Sequence, residues 1–272
     1  MPVAATITAF DLSPRSPVRC MSRRFLDTGL PAEMPILDRS LIQALPVFGA
    51  MGEAELDDVI AHATSHHIPK GTAVFRQGES ARCFFVLLHG RLKVVKVTPQ
   101  GQQMIIRFVN PGDIYGIAKA LRREDYPASA IALVDSVTLA WPSEIWDEFV
   151  AAHPSFATNV MQTMGQRLQE AHTRLKELTT DEVGHRVAYT LLRLVTQSGR
   201  KTEDGMLVDF PITQQDIAEA AGTTLHSVSR TLSAWESAGV VTVGRRKIVV
   251  RDVKALSELA ERGAGDARKR HS

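Results

Sequence analysis

The chain has few cysteines and no long apolar segment. Cys20 and Cys83 are the only cysteines among 272 residues, too few for a disulfide framework or a four-cysteine iron–sulfur or zinc site within one chain. No apolar run approaches the roughly 18 residues that a membrane span requires. No apolar segment follows the N-terminal arginines, as it would in a secretory signal. These absences favour a reducing, cytoplasmic compartment.

The chain also has almost no excess charge of either sign. It contains 32 Lys and Arg against 30 Asp and Glu, which gives a formal net charge of +2. Apolar residues make up 44 % of the chain, enough for ordinary globular cores. Bulk charge therefore does not predict a nucleic-acid partner, and only the placement of individual charges can do so.

The first half of the chain changes pattern twice. Residues 1–36 contain prolines without a sustained hydrophobic period, which predicts a flexible N-terminal extension. Two short helices are then predicted, over residues 37–46 and 53–62. Short β-rich runs separated by glycines follow, a spacing typical of a β-barrel or double-sheet jelly roll. These runs are residues 73–76, 83–88, 92–98, 104–109 and 129–141. We therefore predict a β-barrel or jelly-roll domain over residues 37–150.

A heptad pattern begins after Pro154, which can start a helix. Its apolar positions are spaced by 4, 3, 4, 3, 4 and 3 residues and are Ala157, Met161, Met164, Leu168, Ala171, Leu175 and Leu178. So narrow a seam favours a two-stranded coiled coil, because a helix packed on its own barrel carries a wider apolar stripe. Residues 151–178 are therefore predicted to form a dimerisation helix, with the helix packed on its own barrel as the alternative.

The segment after the heptads contains the signals of a hinge and a further helix. Thr179 and Glu182 match the capping-box pattern, which predicts a helix that runs to about Ser198 and is closed by Gly199. The hinge between the two halves of the chain is then expected at residues 178–181.

Two further helices follow, joined by a tight turn. Thr213 can cap a helix that ends at Gly222, and Thr223 or Thr224 can cap a second helix that runs to about Ser237. A β-hairpin around residues 244–247 predicts a wing. We therefore expect a winged helix-turn-helix domain over residues 179–253, and a C-terminal helix and basic tail over residues 254–272.

The winged helix-turn-helix predicts contacts to DNA. The N-terminal residues of the second helix enter the major groove, where arginine can pair with guanine and hydroxyl groups suit phosphates or base edges. Each such residue, considered alone, would be interpreted as a solvated surface group. Together with the helix-turn-helix and the wing that surround them, these residues favour contact with DNA. The predicted DNA contacts are Thr213, Gln214, Thr224, His226, Ser227, Ser229, Arg230, Arg245, Arg246 and Lys247.

These motifs resemble the Crp/Fnr superfamily of bacterial regulators over about residues 45–253. The resemblance is carried by residues 70–79, 89–94, 111–113, 212–222 and 228–230. It implies an α+β chain with an N-terminal cyclic-nucleotide-binding-like sensor domain, a coiled-coil dimerisation helix and a C-terminal winged helix-turn-helix. It also implies a homodimeric transcription regulator that binds a palindromic site on double-stranded DNA, with RNA polymerase as a further partner.

Departures from the family pattern bear on the effector. Gly116-Ile117 and Pro127-Ala128-Ser129 stand where cyclic-nucleotide-binding members carry Gly-Glu and Arg-Ser or Arg-Thr. A cyclic AMP cofactor is therefore disfavoured. An iron–sulfur cluster is disfavoured too, because Cys20 is the only cysteine in the N-terminal extension.

Residues 108–121, 165–174 and 223–230 resemble the nitric-oxide-responsive (NnrR-type) branch. This implies an activator of denitrification genes. Haem is the candidate mediator, with His89 and His172 as candidate ligands, and no other metal site is predicted. A family member that answers another ligand or none is an alternative, as is a barrel protein whose winged domain binds protein. An enzyme is not predicted, because no triad or paired-carboxylate motif is present.

Overall fold

The computed structural model of the chain describes residues 39–49, 51–180 and 182–269. The predicted N-terminal extension lies outside these ranges. No helix within them is long and apolar enough to cross a membrane. The described elements, in chain order, are α1 (Arg39–Gln43), α2 (Glu53–Ala61), β1 (Thr64–Ile68), β2 (Ala73–Phe75), β3 (Cys83–His89), β4 (Leu92–Val97), β5 (Gln103–Val109), β6 (Ile114–Tyr115), β7 (Ser129–Ala132), β8 (Ser136–Pro142), α3 (Trp146–Ala152), α4 (Pro154–Thr180), α5 (Val183–Ser198), β9 (Gly199–Thr202), β10 (Gly205–Val208), α6 (Gln214–Ala221), α7 (Leu225–Ser237), β11 (Val241–Gly244), β12 (Lys247–Val250) and α8 (Val253–Lys269).

The N-terminal domain is a jelly roll of two four-stranded antiparallel sheets. The strand orders are β1-β8-β3-β6 and β2-β7-β4-β5, so the sheets do not close into a barrel. The sequence did not predict β1 or β6. Only Ile68 is buried in β1, and β6 has two residues, so neither strand carries a clear apolar alternation. The predicted run over residues 129–141 is two strands, β7 and β8.

Helix α4 has two environments along its length. At its start Phe156 and Val160 are buried against the jelly roll, in the same apolar cluster as Trp141. Farther along, Met161, Leu168 and Leu175 are 74 %, 59 % and 61 % exposed. The helix is therefore anchored to its own domain at one end and leaves most of its apolar seam in contact with solvent.

The junction between α4 and α5 differs from the predicted capping box. The N-cap of α5 is Glu182, and no side chain caps it. The Thr179 hydroxyl instead donates to the carbonyl oxygens of Leu175 and Lys176, at 3.1 and 3.0 Å. The predicted capping box is therefore wrong, because threonine inside a helix can bond the preceding turn of its own backbone. The predicted end of α5 at Ser198, closed by Gly199, is confirmed.

The C-terminal domain packs α5, α6, α7 and α8 with a four-stranded sheet of order β11-β12-β10-β9. Its core contains Leu191, Ile217, Val228, Leu232 and Leu256, all fully buried. The sequence did not predict β9 or β10, which form a short hairpin next to β12. This core fixes the positions of the two helix-turn-helix helices.

Candidate nucleic-acid interface

The two helices of the helix-turn-helix begin at threonine caps. The Thr213 hydroxyl accepts a hydrogen bond from the Asp216 backbone N–H, and the Asp216 carboxylate accepts one from the Thr213 N–H, both at 3.0 Å. The Thr224 hydroxyl accepts from the Ser227 N–H at 3.2 Å. The predicted cap at Thr213 is confirmed, and Thr224 rather than Thr223 caps the second helix.

Gly222 makes the turn between α6 and α7. Its φ is +62°, in the left-handed region that favours glycine. A Cβ atom at this position would also lie 2.8 Å from Cδ2 of Leu178, at the end of the seam. The turn is therefore shaped by both its own backbone and the neighbouring helix α4.

Helix α7 buries one face and exposes the other. Val228 and Leu232 are fully buried in the domain core, whereas His226 and Arg230 are exposed and Ser227 and Ser229 are partly exposed. The burial follows the helical period, so the packed face fixes which side chains point away from the domain. The predicted DNA contacts His226, Ser227, Ser229 and Arg230 lie on this outer face.

The wing lies beside both helices of the helix-turn-helix. Arg246 adopts a φ of 58° in the turn between β11 and β12, and its carbonyl accepts from the Ile212 N–H at 3.2 Å. The Glu236 carboxylate of α7 accepts from the Val243 N–H at 2.8 Å. These bonds bring the wing turn next to the start of α6 and tie it to α7. The predicted wing contacts Arg245, Arg246 and Lys247 are all exposed.

The C-terminal end of α6 is held by two arginines, which the sequence did not single out. Arg186 donates to the carbonyls of Ala221 and Gly222, at 3.1 and 3.4 Å. Arg174 of α4 donates to the carbonyls of Ile105, Ile106 and Ala220. Burial lowers the pKa of Arg174 to about 10, with the charge of Arg193 as a smaller cause. From sequence alone, Arg174 is one more charge off the heptad seam.

The interior of the jelly roll is filled by aromatic rings. The ring of Phe75 stacks on Tyr126 with centroids 3.8 Å apart, and Phe85 and Tyr115 lie beside it. The Tyr126 hydroxyl donates to the Cys83 carbonyl at 2.7 Å, and burial raises the pKa of Tyr126 to about 12. Cys83 is fully buried in the same apolar cluster as Phe75 and Tyr126.

Two arginines meet where α4 crosses the jelly roll. Arg107 and Arg167 both donate to the Ile114 carbonyl, and Arg107 also pairs with Asp113 at 3.3 Å. Burial lowers the pKa of Arg167 to about 9, and the nearby charge of Arg107 lowers it further.

The two candidate haem ligands lie at the surface and not in a buried environment. His89 at the end of β3 and His172 on α4 are both exposed. The described residues contain no group of three or more His, Cys, Asp or Glu side chains placed to hold a metal ion.

Comparison with known proteins assigns both domains. Residues 65–153 match the cyclic nucleotide-binding domain family, and residues 185–259 match the Crp-like helix-turn-helix domain family. The chain is 29 % identical to the cyclic AMP receptor protein of Thermus thermophilus, over 79 % of this chain and 96 % of that protein. It is 25 % identical to the global nitrogen regulator of Synechocystis, over 82 % of this chain and 99 % of that protein.

The similarity extends to solved structures. FixK2 from Bradyrhizobium japonicum superposes with a TM-score of 0.64 at 23 % identity, covering 72 % of this chain and 96 % of FixK2, which shows a shared fold. The order of elements is also the expected one: jelly roll, long helix and helix-turn-helix. The chain therefore belongs to the Crp/Fnr family of transcription regulators, with a domain of the cyclic nucleotide-binding type followed by a Crp-like helix-turn-helix domain.

Proposed function

We propose that this protein binds a palindromic DNA site as a homodimer and regulates transcription from it. The observation that carries the proposal is the outer face of α7, where His226 and Arg230 are exposed while the opposite face is buried. The basic turn of the wing, in the same domain, is exposed as well. Arginine on such a face can make two hydrogen bonds to guanine, worth ~1–3 kcal/mol of discrimination. The wing cations suit the adjacent phosphates.

The exposed seam of α4 supports the homodimer. Met161, Leu168 and Leu175 recur at heptad spacing and remain largely exposed in the single chain. A second copy of the same helix would cover them in a two-fold arrangement. Two-fold symmetry then presents two α7 helices to successive major grooves, roughly 34 Å apart on one face of the duplex.

Two features of this jelly roll argue against a cyclic nucleotide as its effector. Ile117 is buried where nucleotide-binding relatives are expected to carry a carboxylate, and Pro127 offers no donor to a cyclic phosphate. The stacked rings of Phe75 and Tyr126 occupy the space between the sheets. We therefore propose an effector other than a cyclic nucleotide.

Nitric oxide is the signal that we propose, with nitrogen-oxide and denitrification genes as the targets. This part of the proposal is supported by the resemblance of residues 108–121, 165–174 and 223–230 to the nitric-oxide-responsive branch. The exposure of His89 and His172 gives no support to haem as the mediator, since neither imidazole is enclosed.

Selection of random duplexes by the purified protein, with and without nitric oxide under anoxia, tests the proposal. We expect an enriched palindrome, and enrichment that depends on nitric oxide would support direct sensing. Enrichment that does not depend on nitric oxide would support a site-specific DNA-binding regulator and contradict nitric oxide as its ligand. No enrichment in either condition would contradict DNA recognition and favour a winged domain that binds protein.

Matched variants link the selected site to the proposed contacts. We expect Arg230→Ala to lose preference at one base of each half-site. Arg76→Ala removes another exposed arginine, in the jelly roll, and should leave the selected sequence unchanged.

A further inference from the structure

Helix α6 of the DNA-binding domain is docked on the jelly roll through a buried ion pair. The Lys93 ammonium of β4 lies 2.6 Å from Oδ1 of Asp216, and the two side chains are only 15 % and 7 % exposed. Burial alone would raise the pKa of Asp216, but hydrogen bonds from Lys93 and Thr213 outweigh it and lower the pKa. Lys93 also lies 3.9 Å from the Glu219 carboxylate, so one cation faces two carboxylates of α6.

The ion pair continues as a chain of hydrogen bonds to the start of α6. While Oδ1 of Asp216 contacts Lys93, Oδ2 accepts from the Thr213 backbone N–H at 3.0 Å and from its hydroxyl at 2.6 Å. Thr213 is the N-cap of α6 and one of the predicted DNA contacts. One side chain of the jelly roll is therefore two hydrogen bonds away from the DNA-facing end of the helix.

Further contacts make this docking specific. Gln103 of β5 donates to the Glu219 carboxylate at 2.9 Å. Beneath the polar contacts, Val95, Ile105 and Ala220 form a small buried apolar cluster shared by the two domains. The α6 surface is therefore held by polar groups around an apolar centre, as in a specific interface.

The docked arrangement leaves the proposed DNA contacts available. The residues of α6 that it covers are Asp216, Glu219 and Ala220, whereas His226 and Arg230 remain exposed. It also places a cation beside two carboxylates of the first helix of the helix-turn-helix, the helix that crosses the phosphate backbone, and so offsets part of their negative charge. Docking therefore reduces the electrostatic repulsion between α6 and DNA without covering His226 or Arg230.

We propose that Lys93, in the sensor domain, is a positioning residue for DNA recognition, which holds α6 and its Thr213 cap in the orientation that binds the duplex. This inference rests on the proposed function. When Lys93 loses its charge, Asp216 is left buried without a counter-charge, which favours undocking of the domain. The binding-competent orientation is then only one of several populated orientations. The apparent affinity for DNA falls in proportion to the fraction of molecules that adopt it.

The test measures the affinity of the full-length protein for the palindrome that it selects. We expect Lys93→Met to weaken binding by about tenfold and Lys93→Arg to restore most of the affinity, because arginine keeps the charge. Lys96→Met makes the same substitution at an exposed position of the same strand and should leave affinity unchanged. Thermal unfolding of each variant checks that the fold is retained.

A double-mutant cycle separates positioning from a general loss of stability. Lys93→Met and Asp216→Asn each break the same contact, so we expect their combined effect on affinity to be close to that of one alone. Fully additive losses would overturn the proposal. So would unchanged affinity of Lys93→Met, and so would tighter binding, which would show that the contact holds an arrangement that DNA must break. Failure of the parent protein to select any duplex would instead contradict the proposed function.

Discussion

Replacing Leu168 by aspartate should split the proposed dimer. Leu168 lies at the middle of the exposed seam of α4 and is 59 % exposed in the single chain. Full burial of a leucine side chain is worth roughly 1.5–3 kcal/mol, so the part exposed here contributes about 1–1.8 kcal/mol in each copy. Two-fold symmetry doubles the loss to about 2–3.5 kcal/mol, which corresponds to a roughly 30- to 300-fold weaker dimer.

Sedimentation equilibrium over a range of concentrations measures this dissociation constant directly. Binding to the full palindrome and to an isolated half-site then shows whether the dimer is the form that binds DNA. Leu168→Asp should lose most of its preference for the palindrome, because a monomer addresses only one half-site. Gln169→Asp places the same charge on an adjacent, exposed position off the seam and is the control. A dimer dissociation constant within twofold of the parent would refute α4 as the dimer interface.

Four other perturbations test separate parts of the structure. Arg230→Ala should cost ~1–3 kcal/mol at one base pair in competition binding, because it removes a contact specific to that base. Gly222→Ala should destabilise the protein by about 1–2 kcal/mol in urea unfolding, because its φ of +62° is strained for alanine. Tyr126→Phe removes a buried hydroxyl that bonds the Cys83 backbone and should cost ~1–3 kcal/mol in the same assay. The pKa of Asp216 lies below its ordinary value of 3.8, so its contribution to stability should be complete above that pH and lost as the pH falls through the lowered pKa.

Each of these predictions has an outcome that would contradict it. If Arg230→Ala weakens binding equally for all DNA sequences, Arg230 contacts a phosphate and not a base. Changes under about 0.5 kcal/mol would contradict the predicted strain at Gly222 and the predicted bond at Tyr126. For Asp216, the control is Asp216→Asn, whose unfolding free energy should depend less on acid pH than that of the parent. The same acid dependence in both proteins would contradict the prediction.

The helix-turn-helix could be predicted from the sequence because its determinants are local. The cap at Thr213 joins residues three positions apart, and Gly222 is needed by the backbone conformation of its own turn. The buried face of α7 follows from the helical period alone. The heptad spacing that predicts the seam of α4 is local in the same way.

Short or ambiguous elements were beyond prediction. Strands β6, β9 and β10 have two to four residues each, too few to show a period. Thr179 has the right spacing from Glu182 for a capping box, but its hydroxyl bonds the carbonyls of the preceding turn instead. Threonine has both options, and the path of the chain selects between them.

Only the tertiary structure decided how the two domains meet. In the sequence, Lys93 is a polar residue in an alternating strand, and Asp216 is explained by the cap of its own helix. They lie 123 positions apart, yet their side chains are 2.6 Å from each other. Arg174 likewise is one charged residue among the heptads in the sequence. In the structure it donates hydrogen bonds to carbonyls of both β5 and α6. Local patterns determine the helices and strands of this regulator, but the ion pairs that orient its DNA-binding domain depend on distant segments brought together by folding.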